Sequence, residues 1–161
     1  MKKIKIYFWR NLPTLLFKET RKKYKKRLND YINVYVFNND QELYDFCDEK
    51  TETKDKRNYV AKTFNESKYK CENEEFISKT PYCGWIAFNY NFLNIDTISH
   101  EVCHAVLYYF AITLEEEKDI MQVFNKKTKE IDVYNNLNQE LFCYMVGNMS
   151  NEIAYLSVND E

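Results

Sequence analysis

The hydrophobic pattern changes its period along the chain, and this change constrains the fold more than any other feature. Before residue 95 most apolar residues alternate with polar ones or form short β-branched and aromatic runs, which predict strands. After residue 95 they recur every three or four positions, which predicts helices. Predicted strands span 4–8, 32–37, 58–64 and 85–90, and predicted long helices span 96–110 and 136–154. This order predicts an α+β fold, with a small mixed or antiparallel sheet packed against the two long helices.

Two shorter helices are predicted nearer the N-terminus. The first spans 14–28, with Leu15 and Leu16 among its apolar anchors. The second follows the turn Asn38-Asn39-Asp40, where asparagine and aspartate can cap a helix. The 161 residues contain no repeat and no linker between domains, so we expect one domain that spans 1–161.

The net charge of −2 conceals a basic N-terminal segment, residues 1–27. This segment holds 11 of the 23 Lys and Arg residues and one of the 25 acidic residues, Glu19. The cluster from Lys18 to Arg27 could bind the phosphates of a nucleic acid. It could also be a solvated helix face near the acidic remainder of the chain. We favour the solvated face, because no nucleic-acid-binding motif accompanies the cluster.

Cysteine usage and hydropathy predict a cytoplasmic protein. The five cysteines are odd in number and contain no Cys-x-x-Cys pair, which is typical of a reducing compartment. No apolar run approaches the roughly 20 residues of a membrane span. The apolar start of the chain is interrupted by Lys5, Arg10 and Pro13, unlike a signal peptide.

Both histidines of the chain lie in one short segment, Ser99-His100-Glu101-Val102-Cys103-His104. On a helix capped by Asp96 or Thr97, His100 and His104 share one face one turn apart. Two imidazole nitrogens can then bind one Zn²⁺ at about 2.0–2.1 Å. Glu101 lies about 100° around the helix, where its carboxylate can reach a water and act as general base without binding the metal.

The alternative is that both histidines are ordinary core residues that form hydrogen bonds. Two histidines placed at random would show this spacing, with glutamate in the required position, on the order of once in a thousand chains. We therefore favour a metal site over coincidence.

A zinc site needs a third protein ligand, and the chain has no further histidine. Glu140 is our candidate, because it is the only charged residue in 133–151 and an ionised carboxylate is costly to bury on an apolar helix face without a cation. The alternative is that Glu140 lies half-exposed on the polar side of its helix. The other candidate ligands are Glu115, Glu116, Glu117 and Cys143.

The motif His100-Glu101-Val102-Cys103-His104, followed by 35 residues and then Glu140, resembles the gluzincin branch of the zincin metallopeptidases. It is also similar to short phage-encoded metallopeptidase-like proteins, for which the compartment would be the host cytoplasm. The chain departs from the gluzincin pattern, since Gln139 stands where asparagine is usual and Tyr144 where aspartate is usual.

The resemblance implies a minimal zincin-like fold whose edge strand precedes the histidine helix and binds extended peptide by β-pairing. The matching residues are Trp85, Ile86, Ala87, Phe88 and Asn89. The implied function is a zinc-dependent metallopeptidase that hydrolyses peptide bonds, with His100, His104 and Glu140 as metal ligands and Glu101 as general base. Tyr144 is expected to stabilise the oxyanion, with Tyr108 as the alternative.

Two other functions are compatible with the sequence. The first is a binding or inhibitory protein, such as a phage anti-host factor, in which a structural zinc supports the scaffold and no proteolysis occurs. The second is a protease that the basic cluster from Lys18 to Arg27 delivers to protein–DNA targets. The sequence predicts a protein or peptide partner and no membrane, and it does not predict the substrate sequence or the oligomeric state.

Overall fold

A mixed four-stranded sheet organises the molecule. The computed structural model describes residues 1–52, 59–66, 69–72, 75–78, 80–114, 124–125, 130–131 and 136–159. The sheet consists of β1 (Lys2–Tyr7), β2 (Tyr31–Phe37), β3 (Ala61–Asn65) and β6 (Tyr82–Asn89), in the order β1-β2-β6-β3. β2 and β6 are parallel, whereas β1 pairs antiparallel with β2 and β3 antiparallel with β6. The predicted α+β class with a mixed sheet is therefore confirmed.

Four α-helices accompany the sheet in the described part of the chain. They are α1 (Lys18–Lys23), α2 (Asp40–Thr51), α3 (Ile95–Tyr108) and α4 (Asn136–Val158). Short 3₁₀ turns span Lys25–Arg27 and Tyr90–Phe92, and a π-helical turn, Tyr109–Leu114, continues α3. Two further antiparallel pairs join β4 (Tyr69–Glu72) to β5 (Glu75–Ser78) and β7 (Phe124–Asn125) to β8 (Glu130–Ile131). None of the helices described is long and apolar enough to cross a membrane.

The main core lies between one face of the sheet and the helices α3 and α4. Alternation along the strands turns Ile6, Val34 and Ile86 toward Val102 of α3 and Met145 of α4, and all five side chains are fully buried. Burial of an aliphatic side chain of this size stabilises the fold by about 1.5–3 kcal/mol. A smaller cluster on the opposite face packs α2 against part of β2 and β6. The histidine helix is thus one wall of the main core.

The N-terminal helix is shorter than predicted. Leu15 and Leu16 were expected to be apolar anchors, but they are 91% and 47% exposed, and α1 begins only at Lys18. Leu12 and Phe17 are buried instead. The prediction was wrong because the large ring of Phe17 takes the core position, where it packs edge-on against Tyr144.

Gly84 fixes how closely β3 approaches β6. Its φ angle is +143°, a backbone conformation that residues other than glycine rarely adopt. A Cβ atom at this position would lie 2.2 Å from the carbonyl oxygen of Phe64, which is on β3. The pairing of Asn65 with Gly84, which helps to hold β3 at the edge of the sheet, therefore depends on glycine.

Candidate metal centre

The histidine helix begins one turn before the motif. The side chain of Asn94 caps α3 by accepting a hydrogen bond from the backbone N–H of Thr97 at 2.9 Å. The prediction of Asp96 or Thr97 as the cap was therefore wrong by two or three positions, although asparagine supplies the same capping chemistry. Burial of Ile98, Val102 and other residues of the apolar stripe leaves the histidine side of the helix facing outward.

The side chains of His100 and His104 converge. Their Nε2 atoms lie 3.2 Å apart, and their ring centroids lie 4.8 Å apart. Two nitrogens bound at about 2.0–2.1 Å to one tetrahedral ion would be about 3.3 Å apart, so this spacing fits a shared Zn²⁺. Without a metal the same contact is a hydrogen bond between a ring N–H and a ring nitrogen. His100 is exposed and His104 is partly buried, so the pair is accessible.

Glu101 is held from the neighbouring strand. The Glu101 side chain is buried. The hydroxyl oxygen of Thr63 lies 2.5 Å from Oε2 of Glu101 and 3.1 Å from the backbone carbonyl oxygen of Glu101. A hydroxyl has a single proton, and a carboxylate is the stronger acceptor, so we assign the hydrogen bond to Oε2. Thr63 lies 38 positions before Glu101 and joins β3 to α3.

An open groove runs between the start of β3 and the first turns of α3. Its volume is about 440 Å³, and both His100 and Glu101 contribute to its wall. The remaining lining residues are Tyr59, Val60, Ala61, Asp96 and Thr97. One histidine of the pair and the adjacent carboxylate therefore face the same space, beside the sheet edge.

The predicted substrate-binding strand is inside the sheet. Trp85, Ile86, Ala87, Phe88 and Asn89 are all buried in β6, which pairs with β2 on one side and with β3 on the other. The prediction that these residues form an edge strand is wrong, since both sides of the strand already have partners. β3 is the edge strand on this side of the sheet. It precedes β6 in the chain but lies outside it in space, an arrangement that periodicity does not reveal.

Glu140 does not lie on an apolar face. It is exposed and shares an outer stripe of α4 with Cys143 and Tyr144, whereas Leu141 and Met145 form the buried stripe. The desolvation argument for its ligand role is therefore wrong. Within the described residues, no three His, Cys, Asp or Glu side chains are grouped closely enough to hold a metal ion. The ligand role of Glu140 stays a prediction.

The structure describes only one of the alternative metal ligands. Glu115, Glu116 and Glu117 lie outside the described residues. Cys143 is exposed and lies near Cys103 of α3, and burial together with this neighbour raises the pKa of the Cys103 thiol. α4 packs against the histidine helix, in which Cys103 immediately precedes His104.

The two tyrosines considered for the oxyanion have different surroundings. Tyr108 stacks on His104, with ring centroids 6.2 Å apart and planes inclined by 24°. Tyr144, the residue first predicted, packs edge-on against Phe17 at 5.6 Å. Tyr108 is 40% exposed, so its phenol group can reach solvent beside the histidine pair.

A buried polar network anchors the C-terminal end of α3. The indole N–H of Trp9 donates to the hydroxyl of Tyr109 at 2.7 Å, and that hydroxyl donates to Oδ2 of Asp30 at 2.8 Å. Burial raises the pKa of Asp30 to about 6, against the opposing effects of the Tyr109 hydrogen bond and of Arg27. Sequence reasoning missed this network, because its members are far apart in the chain and belong to no motif.

No family model, no curated protein and no solved structure matches this chain. The function therefore has to be inferred from the geometry of the chain itself.

Proposed function

We propose that this chain is a zinc-dependent metallopeptidase. The observation that carries the proposal is the 3.2 Å separation of the Nε2 atoms of His100 and His104, beside a carboxylate held by Thr63. A core histidine pair would need neither an accessible groove nor a carboxylate that lines the same groove. Both are present here, since His100 and Glu101 line one groove, and this groove follows a sheet edge where a peptide can pair.

The two histidines would hold the metal through their Nε2 atoms. Zn²⁺ is a Lewis acid that polarises a carbonyl group and activates water near neutral pH. Imidazole nitrogen is among its preferred donors, so the residues present fit this ion. In this proposal the third protein ligand is Glu140, a carboxylate in segment 115–117, or Cys143.

Glu101 moves the proton in this proposal. Because Thr63 engages Oε2, we assign Oε1 as the atom that accepts a proton from a water in the groove. The protonated carboxyl then donates this proton to the amide nitrogen that leaves when the peptide bond breaks. The hydrogen bond from Thr63 fixes the rotation of the carboxylate, so that one oxygen stays directed at the groove.

An extended polypeptide is the substrate class that the groove favours. The outer edge of β3 presents backbone N–H and C=O groups to a peptide that adds as a further strand. Tyr59, Val60 and Ala61, at and before the start of β3, line the same groove as His100. In this proposal β3 takes the role that was predicted for 85–89. The phenol O–H of Tyr108 donates a hydrogen bond to the developing oxyanion and keeps its proton.

We place the reaction in the cytoplasm. Cys47, Cys83, Cys103 and Cys143 are all free thiols, as expected in a reducing compartment.

The first test is zinc content together with cleavage of an unfolded protein substrate such as denatured casein. We expect about one zinc per chain in the wild type and in Glu101→Gln, but little in His104→Ala. Glu101→Gln should abolish cleavage, whereas Glu49→Gln, an exposed carboxylate on α2, is the matched control and should leave both readouts unchanged. Loss of zinc in Glu140→Gln would assign the third ligand, and retained zinc would direct the search to 115–117 and Cys143.

The outcomes separate the two functions under consideration. A folded wild-type protein without zinc would refute the metal site and the peptidase together. Tight zinc with no cleavage of any protein, and a partner that binds wild type and Glu101→Gln equally, would identify the scaffold as a binding or inhibitory protein with a structural zinc.

A further inference from the structure

A row of three tyrosines crosses the sheet face that is turned away from α3. Tyr7 on β1 is paired with Tyr31 on β2, and Tyr31 is paired with Tyr82 on β6. Their ring centroids are 5.8 and 5.7 Å apart, with planes inclined by 50° and 48°. All three side chains are half-buried, and α2 covers a different part of this face, around Tyr35 and Trp85. We call Tyr7, Tyr31 and Tyr82 the tyrosine row.

Cations lie directly over the tyrosine row. The Lys5 ammonium group is 3.8 Å from the centroid of Tyr31 and 5.2 Å from that of Tyr7. The guanidinium carbon of Arg10 lies 4.0 Å from the centroid of Tyr7. Both cations are exposed, so they can exchange the ring for an anionic partner.

A groove adjoins the row at its Tyr7 end. Its volume is about 230 Å³, and Arg10 and Arg21 both line it. Arg21 uses Nη1 to donate to the backbone carbonyl of Trp9 at 3.2 Å, which fixes the guanidinium in place. A guanidinium has five N–H donors, so the remaining ones are available for phosphate oxygens.

We propose that the tyrosine row and the adjoining arginine groove bind single-stranded nucleic acid. Aromatic rings beside cations are the combination that binds single strands without sequence preference, since bases stack on the rings and phosphates contact the cations. The charge is complementary, because the cations Lys5, Arg10 and Arg21 all lie over the row or line the adjoining groove. A base that stacks on Tyr31 would displace Lys5 from the ring toward the strand's phosphates.

The spacing of the rings selects a single strand over a duplex. The centroid separations of 5.7 and 5.8 Å exceed the 3.4 Å rise of stacked bases along one strand of B-DNA, so the row suits bases that have been unstacked. A broad sheet face also does not fit the major groove, which is about 12 Å wide and admits a helix or a two-stranded ribbon. This surface lies on the opposite face of the sheet from the histidines and does not rest on the proposed peptidase function.

The test is fluorescence anisotropy of the full chain with labelled oligothymidylate of roughly 12 nucleotides, a duplex of equal length and a polyglutamate peptide. We expect binding of the single strand, with a slope of log K against log salt of about −1.4 to −2.1, for two or three phosphate contacts. The duplex and the polyglutamate peptide should bind at least about tenfold more weakly, because neither offers bases that can stack on the rings.

Variants separate the tyrosine row from the basic helix α1. Tyr31→Leu should weaken single-strand binding about tenfold, and Tyr31→Phe, which keeps the ring, should stay within about twofold of wild type. Tyr7→Leu, on the edge strand, repeats the test if Tyr31→Leu does not fold. Lys5→Gln should weaken binding about threefold, whereas Lys18→Gln, an equal charge change on α1, should have little effect.

Several results would overturn the proposal. These are no binding at about 50 mM salt, equal binding of duplex or polyglutamate, and folded Tyr31→Leu and Tyr7→Leu variants that bind like wild type. A larger effect of Lys18→Gln than of Lys5→Gln would assign the binding to the basic helix instead.

Discussion

The hydroxyl oxygen of Thr63 lies 2.5 Å from Oε2 of Glu101, so a strand residue outside the histidine motif holds the carboxylate within it. Thr63→Val keeps the size and β-branching of the side chain but removes the donor. We expect it to lower kcat by about tenfold, as the loss of an orienting hydrogen bond commonly does, while KM and zinc content change little. Thr63→Ser keeps the donor and should retain most of the activity. An unchanged kcat in Thr63→Val would show that Glu101 needs no such support.

The two candidate oxyanion donors can be separated by their hydroxyl groups alone. Tyr108→Phe keeps the ring that stacks on His104, and we expect kcat to fall by about a hundredfold from loss of the donor. Tyr144→Phe keeps the contact with Phe17 and should leave kcat within about twofold, because the phenol is assigned no role in the reaction. Steady-state kinetics with a fluorogenic peptide would check both variants. The reverse pattern would restore Tyr144 as the donor.

The buried carboxyl of Asp30 predicts a dependence of stability on pH. Its pKa is raised from 3.8 to about 6 in the folded state, so the folded protein binds a proton more tightly than the unfolded chain. Its contribution is therefore most favourable below about pH 4 and is lost as pH rises through 6, with a difference on the order of 3 kcal/mol. Asp30→Asn still offers an oxygen to Tyr109 but does not titrate.

Denaturant unfolding of wild type and Asp30→Asn at several pH values isolates this effect from that of other carboxyl groups. The difference in unfolding free energy between the two proteins should shift in favour of the variant between pH 4 and 7. A constant difference across that range would show that Asp30 is ionised in the folded protein throughout.

The two glycines of the chain predict opposite effects on stability. Gly84→Ala forces a side chain into a φ of +143° and against the carbonyl of Phe64, so we expect a loss of at least about 2 kcal/mol. Gly147→Ala, on the exposed side of α4, meets no atom within 4 Å and should stabilise the protein by up to about 1 kcal/mol. Thermal unfolding would show Tm shifts of opposite sign, and shifts of the same sign would contradict the pairing geometry at Gly84.

The local hydrophobic pattern was sufficient to predict those strands and helices whose buried residues recur with a regular period. The alternation in β1, the run in β2 and the helical stripe around Val102 all identify elements that the structure contains. The convergence of His100 and His104 follows from the geometry of any helix, so sequence spacing alone predicts it. Leu15 and Leu16 show the limit of this reasoning, because nearby Phe17 took the core position.

Contacts between distant segments could not be predicted. Nothing in the sequence around Thr63 indicates that β3 lies outside β6, since strand order is decided by pairing across the whole sheet. The position of Thr63 beside Glu101 depends on that strand order. The same order places 85–89 inside the sheet, so the prediction that these residues form an edge strand was wrong. Exposure of Glu140 was missed for a related reason, because the outer stripe of α4 carries few charged residues and reads as apolar.

The polar network at Tyr109 and the hydrogen bond at Glu101 attach the same helix, α3, to other elements at two points. These residues are eight positions apart, or roughly 12 Å along the axis. Hydrophobic packing has no direction and would allow a helix to slide or rotate on the sheet by small amounts. Two directional attachments prevent both movements. The orientation of the two imidazoles therefore depends on Asp30 and Thr63, which lie outside the helix. The same histidine motif copied into another scaffold without such partners would keep both imidazoles but not their orientation.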